Sequence, residues 1–314
     1  MRAGHARRAL VCAAASGSGK GVVITGGSKG LGFAMAREFL AAGDGVVLCG
    51  REGGRLAAAV EALRGEFPSA TLGAQTCDVS VPDQVDALAD YATGMLGTVH
   101  VWINNAGSVT SKRLLADVPG DEIVAAVGAN VLGSLLGSRA AVRVMRAQAP
   151  NTQPLYHVFN LGFTSWGASL SKTAVTHKST KRSLSQLTAS LREELAAAKL
   201  SSIGVHNLSP GLVLTDLLLK DASPVARRFF NTLADEPEVV AAALVPKIRS
   251  VQGSGTSVEY LTPVTALSRV LTGLPQIING GRFFDKDGNR VAQQGAQYKG
   301  NGVRVPYDFP AERY

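Results

Sequence analysis

A glycine-rich segment near the beginning of the chain has the residue types and spacing of a phosphate-binding turn. It follows the short apolar run 21–25 and precedes an amphipathic helix predicted over 31–42. Glycines allow the backbone to turn tightly and approach a pyrophosphate, whose charge is favoured at a helix N-terminus. Helix caps and tight turns also select glycine, so the cluster alone leaves a purely structural role open. The strand–turn–helix setting favours a dinucleotide site, with candidate contacts at Thr25, Gly26, Ser28, Lys29, Gly30, Leu31 and Gly32.

The end of the second predicted strand carries a cation at the position that decides between two nicotinamide cofactors. A chain that binds NAD normally places a carboxylate there to hold the ribose 2′-hydroxyl. Here Arg51 follows the strand, and Arg51 and Lys29 would offer cations to a 2′-phosphate. Each charge-assisted hydrogen bond would be worth about 1.5–3 kcal/mol. The neighbouring Glu52 would repel that phosphate if it turned inward, and Arg51 could also be an ordinary solvated charge. The sequence favours NADPH (NADP+ when oxidised).

Apolar, β-branched runs alternate with amphipathic segments through most of the chain. The runs at 21–25, 45–49, 71–76, 99–103, 155–160 and 202–208 predict strands. The segments 31–42, 54–66, 83–96, 121–148 and 174–199 predict helices. Strands separated by helices of this length imply parallel crossovers, so we expect an α/β fold with a doubly wound, Rossmann-type parallel sheet. We expect a single domain with a helical C-terminal extension over 212–272 and a last strand at 282–285.

Composition excludes several classes of protein. The 314 residues are 46% hydrophobic, which is ordinary for a globular chain and excludes disorder for most of it. Three cysteines are too few for a disulfide scaffold, and Cys49 and Cys77 lie in apolar runs that predict buried thiols. The net charge of +8 comes from scattered basic residues without an aromatic–basic array, so we expect no nucleic-acid partner. We also expect no membrane-spanning segment, since no stretch approaches about 18 uncharged apolar residues, and we assign no metal ligand.

The first residues have the composition of a targeting segment. Residues 1–21 contain no acidic side chain and are rich in Arg, Ala and Ser, as in organelle transit peptides. A disordered leader, or an error in where the reading frame begins, is the alternative. We therefore divide the chain into a leader at 1–20, a catalytic domain at 21–285 and a tail at 286–314.

The order of the motifs resembles that of the short-chain dehydrogenase/reductase family over residues 21–250. The glycine turn fits the family's Thr-Gly-x-x-x-Gly-x-Gly pattern, and Asn104-Asn105-Ala106-Gly107 matches its motif after the fourth strand. The resemblance implies that Asp78 and Val79 contact the adenine, that Asn130 has a structural and proton-relay role, and that the cofactor also touches Asn105, Ala106, Gly107, Lys181, Pro210, Gly211 and Thr215.

The chain departs from the family at the catalytic helix. The family reduces carbonyls with a Tyr-x-x-x-Lys pair and a preceding Ser, and here Lys181 is present but His177 stands where the Tyr belongs. Thr164 and Ser165 occupy the Ser position, with Ser169 as a looser candidate. His177 and Lys181 share a helix face at i and i+4. Nearby cations would lower the pKa of His177 below about 6.5 and leave a neutral imidazole, a poorer proton donor than a phenol. We expect weakened reductase chemistry; a sequence error, loss of catalysis with cofactor binding retained, or an ordinary surface histidine are the alternatives.

Longer stretches resemble the chlorophyll(ide) b reductases, a group within this family found in plants and green algae. The most specific likeness lies outside the general motifs, at Phe229–Val240, Leu244–Arg249, Tyr260–Pro263 and Arg282–Asp285. It implies reduction of the 7-formyl group of chlorophyll b or chlorophyllide b with NADPH, in the chloroplast, by a protein peripherally associated with the thylakoid on its stromal side. It also implies a homo- or hetero-oligomer with a related reductase. The apolar segment 217–219 could be a lid over the lipophilic substrate or simply core.

Overall fold

The computed structural model describes residues 19–164, 166 and 173–291. Residues 1–18 of the leader, Ser165, Ser169 and the tail beyond residue 291 lie outside the described residues, so the predictions made for them stay predictions.

Among the described residues, seven strands form one parallel sheet in the order β3-β2-β1-β4-β5-β6-β9. The strands are β1 (Gly21–Thr25), β2 (Gly45–Gly50), β3 (Leu72–Thr76), β4 (Val101–Asn104), β5 (Tyr156–Leu161), β6 (Ile203–Ser209) and β9 (Ser257–Glu259). Val22 of β1 pairs with Val46 on one side and Val101 on the other. The strand order therefore reverses between β1 and β4, where doubly wound sheets open a crevice at their carboxyl ends.

Helices cover both faces of this sheet. They are α1 (Gly30–Ala41), α2 (Gly53–Glu66), α3 (Pro82–Leu96), α4 (Gly120–Val127), α5 (Gly133–Arg146), α6 (Val175–Ala197), α7 (Asp216–Leu219), α8 (Pro224–Leu233), α9 (Pro237–Ser250), α10 (Pro263–Thr272) and α11 (Leu274–Asn279). One core cluster joins Val22, Ile24 and Phe39 to Leu244 of α9. The other, on the opposite face, joins Val23, Trp102 and Met145. The predicted doubly wound α/β fold is confirmed.

The predicted helix 121–148 is interrupted by a π-helical turn at Gly128–Leu132, which separates α4 from α5 and places Asn130 at the break. The segment Gly120–Arg146 is also long and apolar enough to cross a membrane by length and composition, contrary to our expectation. In the fold one side of this segment packs on the sheet, where Ala140, Ala141 and Met145 are fully buried.

The C-terminal part differs from the prediction in its strands, three of which lie within the stretch 212–272 that was expected to be helical. The last strand of the sheet is Ser257–Glu259, within the stretch expected to be helical. Residues 282–285 make only isolated bridges, Gly280 with Asp285 and Phe284 with Arg290. The predicted strand there was wrong because Phe283 and Phe284 pack with Phe230 in a separate third cluster and do not reach the sheet. A short second sheet pairs β7 (Leu212–Val213) with β8 (Ala234–Asp235).

Candidate active site

The glycine turn forms one wall of the crevice. Gly26 and Gly30 have φ angles of 68° and 56°, a region that disfavours side chains, and a side chain on Gly32 would collide with the carbonyl oxygen of Gly26. Helix α1 begins at Gly30, and Lys29 at its N-cap provides no side-chain hydrogen bond. The backbone N–H groups of the first turn therefore point out uncapped, which fits an anionic ligand.

Two polar residues predicted to contact a cofactor hold the turn to the neighbouring strand. Thr25 is buried, and its Oγ1 accepts hydrogen bonds from the backbone N–H groups of Asn105 (3.1 Å) and Ala106 (3.0 Å). The Asn105 side chain donates to the carbonyl oxygens of Thr25 (2.9 Å) and Gly26 (3.1 Å). These bonds stabilise the floor of the crevice, with Leu31 buried beneath the turn.

The other end of the crevice is cationic. Arg51 is exposed just after β2, and Ser28 lies beside Gly50 at the end of that strand. Glu52, the carboxylate that could have repelled a phosphate, pairs with Arg55 at 3.1 Å. Asp78 follows β3, where burial would raise its pKa, but hydrogen bonds from Ser80 and the charge of Arg51 hold that pKa below its ordinary value.

The turn after β6 closes the crevice from a third side. Pro210 and Gly211 follow β6. Thr215 packs closely on Gly30: a methyl group added to Gly30 would lie 3.1 Å from Thr215 Cγ2. Lys29, expected to meet a 2′-phosphate, instead donates to Asp216 Oδ2 at 2.8 Å. In the short helix α7, Leu218 and Leu219 pack against the third cluster while Leu217 is 39% exposed. The apolar segment 217–219 therefore belongs partly to the core and partly to a lid over the crevice.

Two of the predicted catalytic residues, Lys181 and Asn130, lie beside Gly107. Lys181 is buried, and its Nζ donates to the carbonyl oxygen of Leu161 at 2.8 Å. A methyl group on Gly107 would lie 3.4 Å from that Nζ and 2.9 Å from Asn130 Oδ1. The Asn130 amide accepts from the backbone N–H of Ser108 (2.8 Å) and donates to Ser108 O and to Thr180 Oγ1 (both 2.9 Å). Asn130 therefore connects the loop after β4 to the catalytic helix α6.

His177 lies one helical turn before Lys181, with its ring edge-on to Phe163 at 5.3 Å between centroids. It is 9% exposed, which excludes the surface alternative, and its Nδ1 is buried without a hydrogen-bond partner among the described residues. That unpaired atom fits a site in which a bound molecule completes the hydrogen bonding.

Burial and mutual repulsion control the charges of this pair. Burial, with the adjacent Lys181 charge, lowers the pKa of His177 to about 4, so its imidazole is neutral near pH 7. Burial lowers the pKa of Lys181 to about 8, so its ammonium form still predominates at neutral pH. The direction of the His177 pKa agrees with the prediction, but burial contributes more to it than the neighbouring charge that the prediction invoked.

Thr164, proposed at the serine position, is half-buried just beyond β5, and Ser165 lies outside the described residues. Sequence reasoning missed a buried hydroxyl pair nearby. Thr110 and Thr176 share a hydrogen bond of 2.7 Å between their Oγ1 atoms, and Thr180 Oγ1 donates to the carbonyl oxygen of Thr176. Residues 176 and 180 lie on one side of α6, and residues 177 and 181 lie on the adjacent side. The sequence does contain a signal for this feature, because Thr176 and Thr180 are four positions apart and therefore share a helix face.

Asp235 was also missed, and it joins separate parts of the C-terminal region to one another. It is 2% exposed and accepts hydrogen bonds from Tyr260 (2.6 Å), Arg269 and Arg282. Burial alone would raise its pKa, but these three donors hold the pKa below its ordinary value. Tyr260 and Arg282 belong to the segments of most specific sequence likeness, so the structure brings those segments to one buried carboxylate.

The model of the family described as short chain dehydrogenase matches residues 20–224. The chain belongs to this family. A chloroplastic chlorophyll(ide) b reductase of Arabidopsis thaliana is 40% identical over 258 residues, which cover 80% of this chain and 72% of that protein. A probable chloroplastic chlorophyll(ide) b reductase of Oryza sativa subsp. japonica is 40% identical over 290 residues, which cover 87% of this chain and 55% of that protein. The chain thus spans about half the length of some curated family members it matches.

Solved structures of family members show the same fold. An NADPH-bound short-chain oxidoreductase of Pseudomonas aeruginosa with an atypical catalytic centre superposes with a TM-score of 0.63 at 26% identity, covering 77% of this chain and 97% of that one. A 3-ketoacyl-(acyl-carrier-protein) reductase of Brucella melitensis in complex with NADH gives 0.63 at 26% identity, with coverages of 76% and 96%. The uncapped α1 terminus, the glycine turn and the cationic end of the crevice fit a nicotinamide dinucleotide.

Proposed function

We propose that this chain reduces the 7-formyl group of chlorophyll b or chlorophyllide b to a hydroxymethyl group, with NADPH as the reductant. The main support is the 40% identity to a chlorophyll(ide) b reductase, which continues beyond the general family motifs. Those extra segments meet at Asp235, which accepts hydrogen bonds from Tyr260 and Arg282. The similarity therefore includes the C-terminal part of the fold, beyond the general family motifs.

The preference for NADPH rests on the charges around the ribose end of the crevice. Arg51 is exposed there, Glu52 is engaged by Arg55, and no carboxylate follows β2 in the position that NAD enzymes use. The glycine turn and the α1 N-terminus would hold the pyrophosphate, and Pro210, Gly211 and Thr215 would line the nicotinamide end. When bound, the reduced nicotinamide supplies a hydride to the carbonyl carbon.

The chain's own residues would manage the carbonyl oxygen. Gly107 is exposed and has no side chain, so a substrate carbonyl can approach Lys181 and Asn130 closely. His177 can donate one N–H to the oxygen, and the apolar contacts of Phe163 exclude water from that side. The carbonyl carbon becomes more electrophilic as its oxygen is hydrogen-bonded.

We place the protein in the chloroplast, at the stromal side of the thylakoid as a peripheral protein, since the curated relatives are chloroplastic and the substrate is lipophilic. We also propose a homo-oligomer or a hetero-oligomer with a related reductase. The outer faces of α4 and α5 support this, because Val124 (72%), Val127 (43%), Leu132 (40%) and Leu135 (46%) are exposed there.

The histidine at position 177 supports a second function. A chain that binds the cofactor without turning over substrate could act as a scaffold partner of an active reductase. A reductase of another lipophilic carbonyl is a third. Purified protein is incubated with NADPH and chlorophyllide b, and the pigments are separated by chromatography. Formation of the 7-hydroxymethyl product supports the reductase. Saturable NADPH binding without product supports the scaffold, and turnover of other aldehydes alone supports the third function.

A further inference from the structure

We infer that Lys181 is the proton donor of this site and that His177 is the hydrogen-bond donor that orients the carbonyl oxygen. This inference rests on the proposed reductase function. It assigns the proton to position 181, whereas position 177 is the proton donor considered from the sequence.

The two side chains cannot both carry charge in this environment. They lie at i and i+4 on the buried side of α6, with 9% and 7% of their surfaces exposed. Two cations so close together and so little hydrated repel each other strongly, and the imidazole is the weaker base of the two. The proton therefore resides on the lysine, and the histidine contributes an uncharged N–H. A neutral imidazole loses its second proton only far above physiological pH and is a very poor acid.

Among the described residues, the carbonyl oxygen of Leu161 accepts from Lys181, and the ammonium has further N–H donors for a molecule in the crevice. One N–H is used by the carbonyl oxygen of Leu161 at 2.8 Å. An ammonium group carries three N–H donors, and the exposed Gly107 stands next to the Nζ atom without a side chain to block it. A carbonyl oxygen placed over Gly107 would reach Lys181 directly.

Charged groups from the neighbouring elements do not compensate the ammonium. The contacts from β4, β5 and the π-helical turn are Gly107, Leu161 and Asn130, none of which titrates. Glu122 of α4 is engaged by Ser111, and His206 of β6 by His157. Among the described residues, His177 is the titratable group that faces Lys181, and burial is what makes the ammonium give up its proton more readily.

The proposed step transfers one hydride and one proton to the carbonyl group. The carbonyl carbon accepts the hydride with its two electrons, and the C=O π pair moves onto oxygen. An N–H bond of Lys181 breaks as the O–H bond forms, giving the alcohol and a neutral amine. Solvent protonates the amine before the next turnover.

The test compares two variants that separate the roles. His177→Gln keeps an uncharged N–H donor that cannot titrate, so we expect turnover to fall by only about 3- to 15-fold, the cost of a less well-placed hydrogen bond. Lys181→Arg keeps the positive charge but cannot release a proton. We expect it to lose about 100- to 10,000-fold in turnover. NADPH titration and thermal melting establish that both variants fold and bind.

Two further readouts do not depend on the variants' rates alone. Wild-type turnover should fall as pH rises through about 8, the pKa of Lys181, and His177→Gln should keep that profile. In cofactor-free protein, isotope-labelled lysine NMR should find one lysine titrating near pH 8, and that signal should be missing from Lys181→Arg. An inactive His177→Gln together with an active Lys181→Arg would overturn the inference, as would a lysine titrating near its ordinary value. Wild-type protein that turns over no carbonyl at any pH would instead refute the proposed function.

Discussion

Lys29 of the glycine turn and Asp216 of α7 form an ion pair of 2.8 Å across the mouth of the crevice. Both side chains are about half exposed, at 47% and 51%, so water screens the pair and its contribution to stability is small. The main effect of the ion pair is to fix the position of the Lys29 side chain. The cation that the sequence offered to a 2′-phosphate is engaged with the cover of the site, which leaves Arg51 as the main determinant of cofactor choice.

Arg51→Glu should therefore change the cofactor preference. Loss of one or two charge-assisted hydrogen bonds, replaced by repulsion, should weaken NADPH binding by about 10- to 150-fold. NADH, which lacks the phosphate, should bind with little change. Fluorescence titration with both cofactors measures the ratio, and Arg64→Glu, an exposed arginine on α2, is the matched control. An unchanged NADPH affinity in Arg51→Glu would contradict the assignment.

Asp235→Asn should destabilise the C-terminal extension. The buried carboxylate holds two arginines and Tyr260. Its neutralisation would leave those partly buried cations uncompensated, at a cost of about 2–4 kcal/mol. Urea unfolding measures this difference in free energy.

Asp86→Asn is the control for that variant. Asp86 pairs with Arg139 at 3.0 Å, but 56% of the arginine side chain is exposed. Its removal should cost no more than about 1 kcal/mol. Equal losses in the two variants would show that Asp235 has no special structural role.

The hydroxyl pair of Thr110 and Thr176 predicts non-additive mutations. Thr110→Val leaves the buried Thr176 hydroxyl without this partner and should cost about 1–3 kcal/mol. Thr176→Val should cost less, because Thr110 Oγ1 also donates to the carbonyl oxygen of Ser111 at 3.2 Å. The double variant removes both hydroxyls and should cost less than the sum of the two. Chemical denaturation of the four proteins gives the coupling energy, and strict additivity would mean that the contact carries no energy.

Three buried histidines predict a loss of stability in mild acid. Burial lowers the pKa of His157 to about 4, and that of His206 to about 3, and His177 behaves like His157. The unfolded chain takes up these protons near pH 6.5, so it binds more protons than the folded chain below that pH. The stability is therefore complete above pH 6.5 and is lost as pH falls, by on the order of 1–2 kcal/mol per histidine between pH 7 and 5. Urea unfolding at pH 7, 6 and 5 tests this, and equal stabilities would contradict it.

Much of the fold was predictable because its signals are local. The strands at Gly21–Thr25 and Gly45–Gly50 are continuous apolar, β-branched runs bounded by glycine, and they lie within one residue of their predicted ends. The short strand Ser257–Glu259 carries polar residues at both ends and was missed, because its pairing with β6 decides its conformation.

Part of the candidate site could also be predicted from the sequence. The glycine turn could be placed from its local pattern, and the His177–Lys181 pair from the resemblance to the family's Tyr-x-x-x-Lys motif. Asp235 could not, because its partners Tyr260, Arg269 and Arg282 lie 25 to 47 positions away in the chain. The engagement of Lys29 by Asp216, across 187 positions, was equally beyond local patterns.

The most direct test of the account is isotope transfer. NADPH carrying deuterium on the transferable position of its C4 carbon is incubated with the purified protein and chlorophyllide b, and the pigment is analysed by mass spectrometry. The account predicts a 7-hydroxymethyl pigment that contains one deuterium on the new carbinol carbon. An unlabelled or unchanged pigment, from protein that binds NADPH saturably, would contradict it.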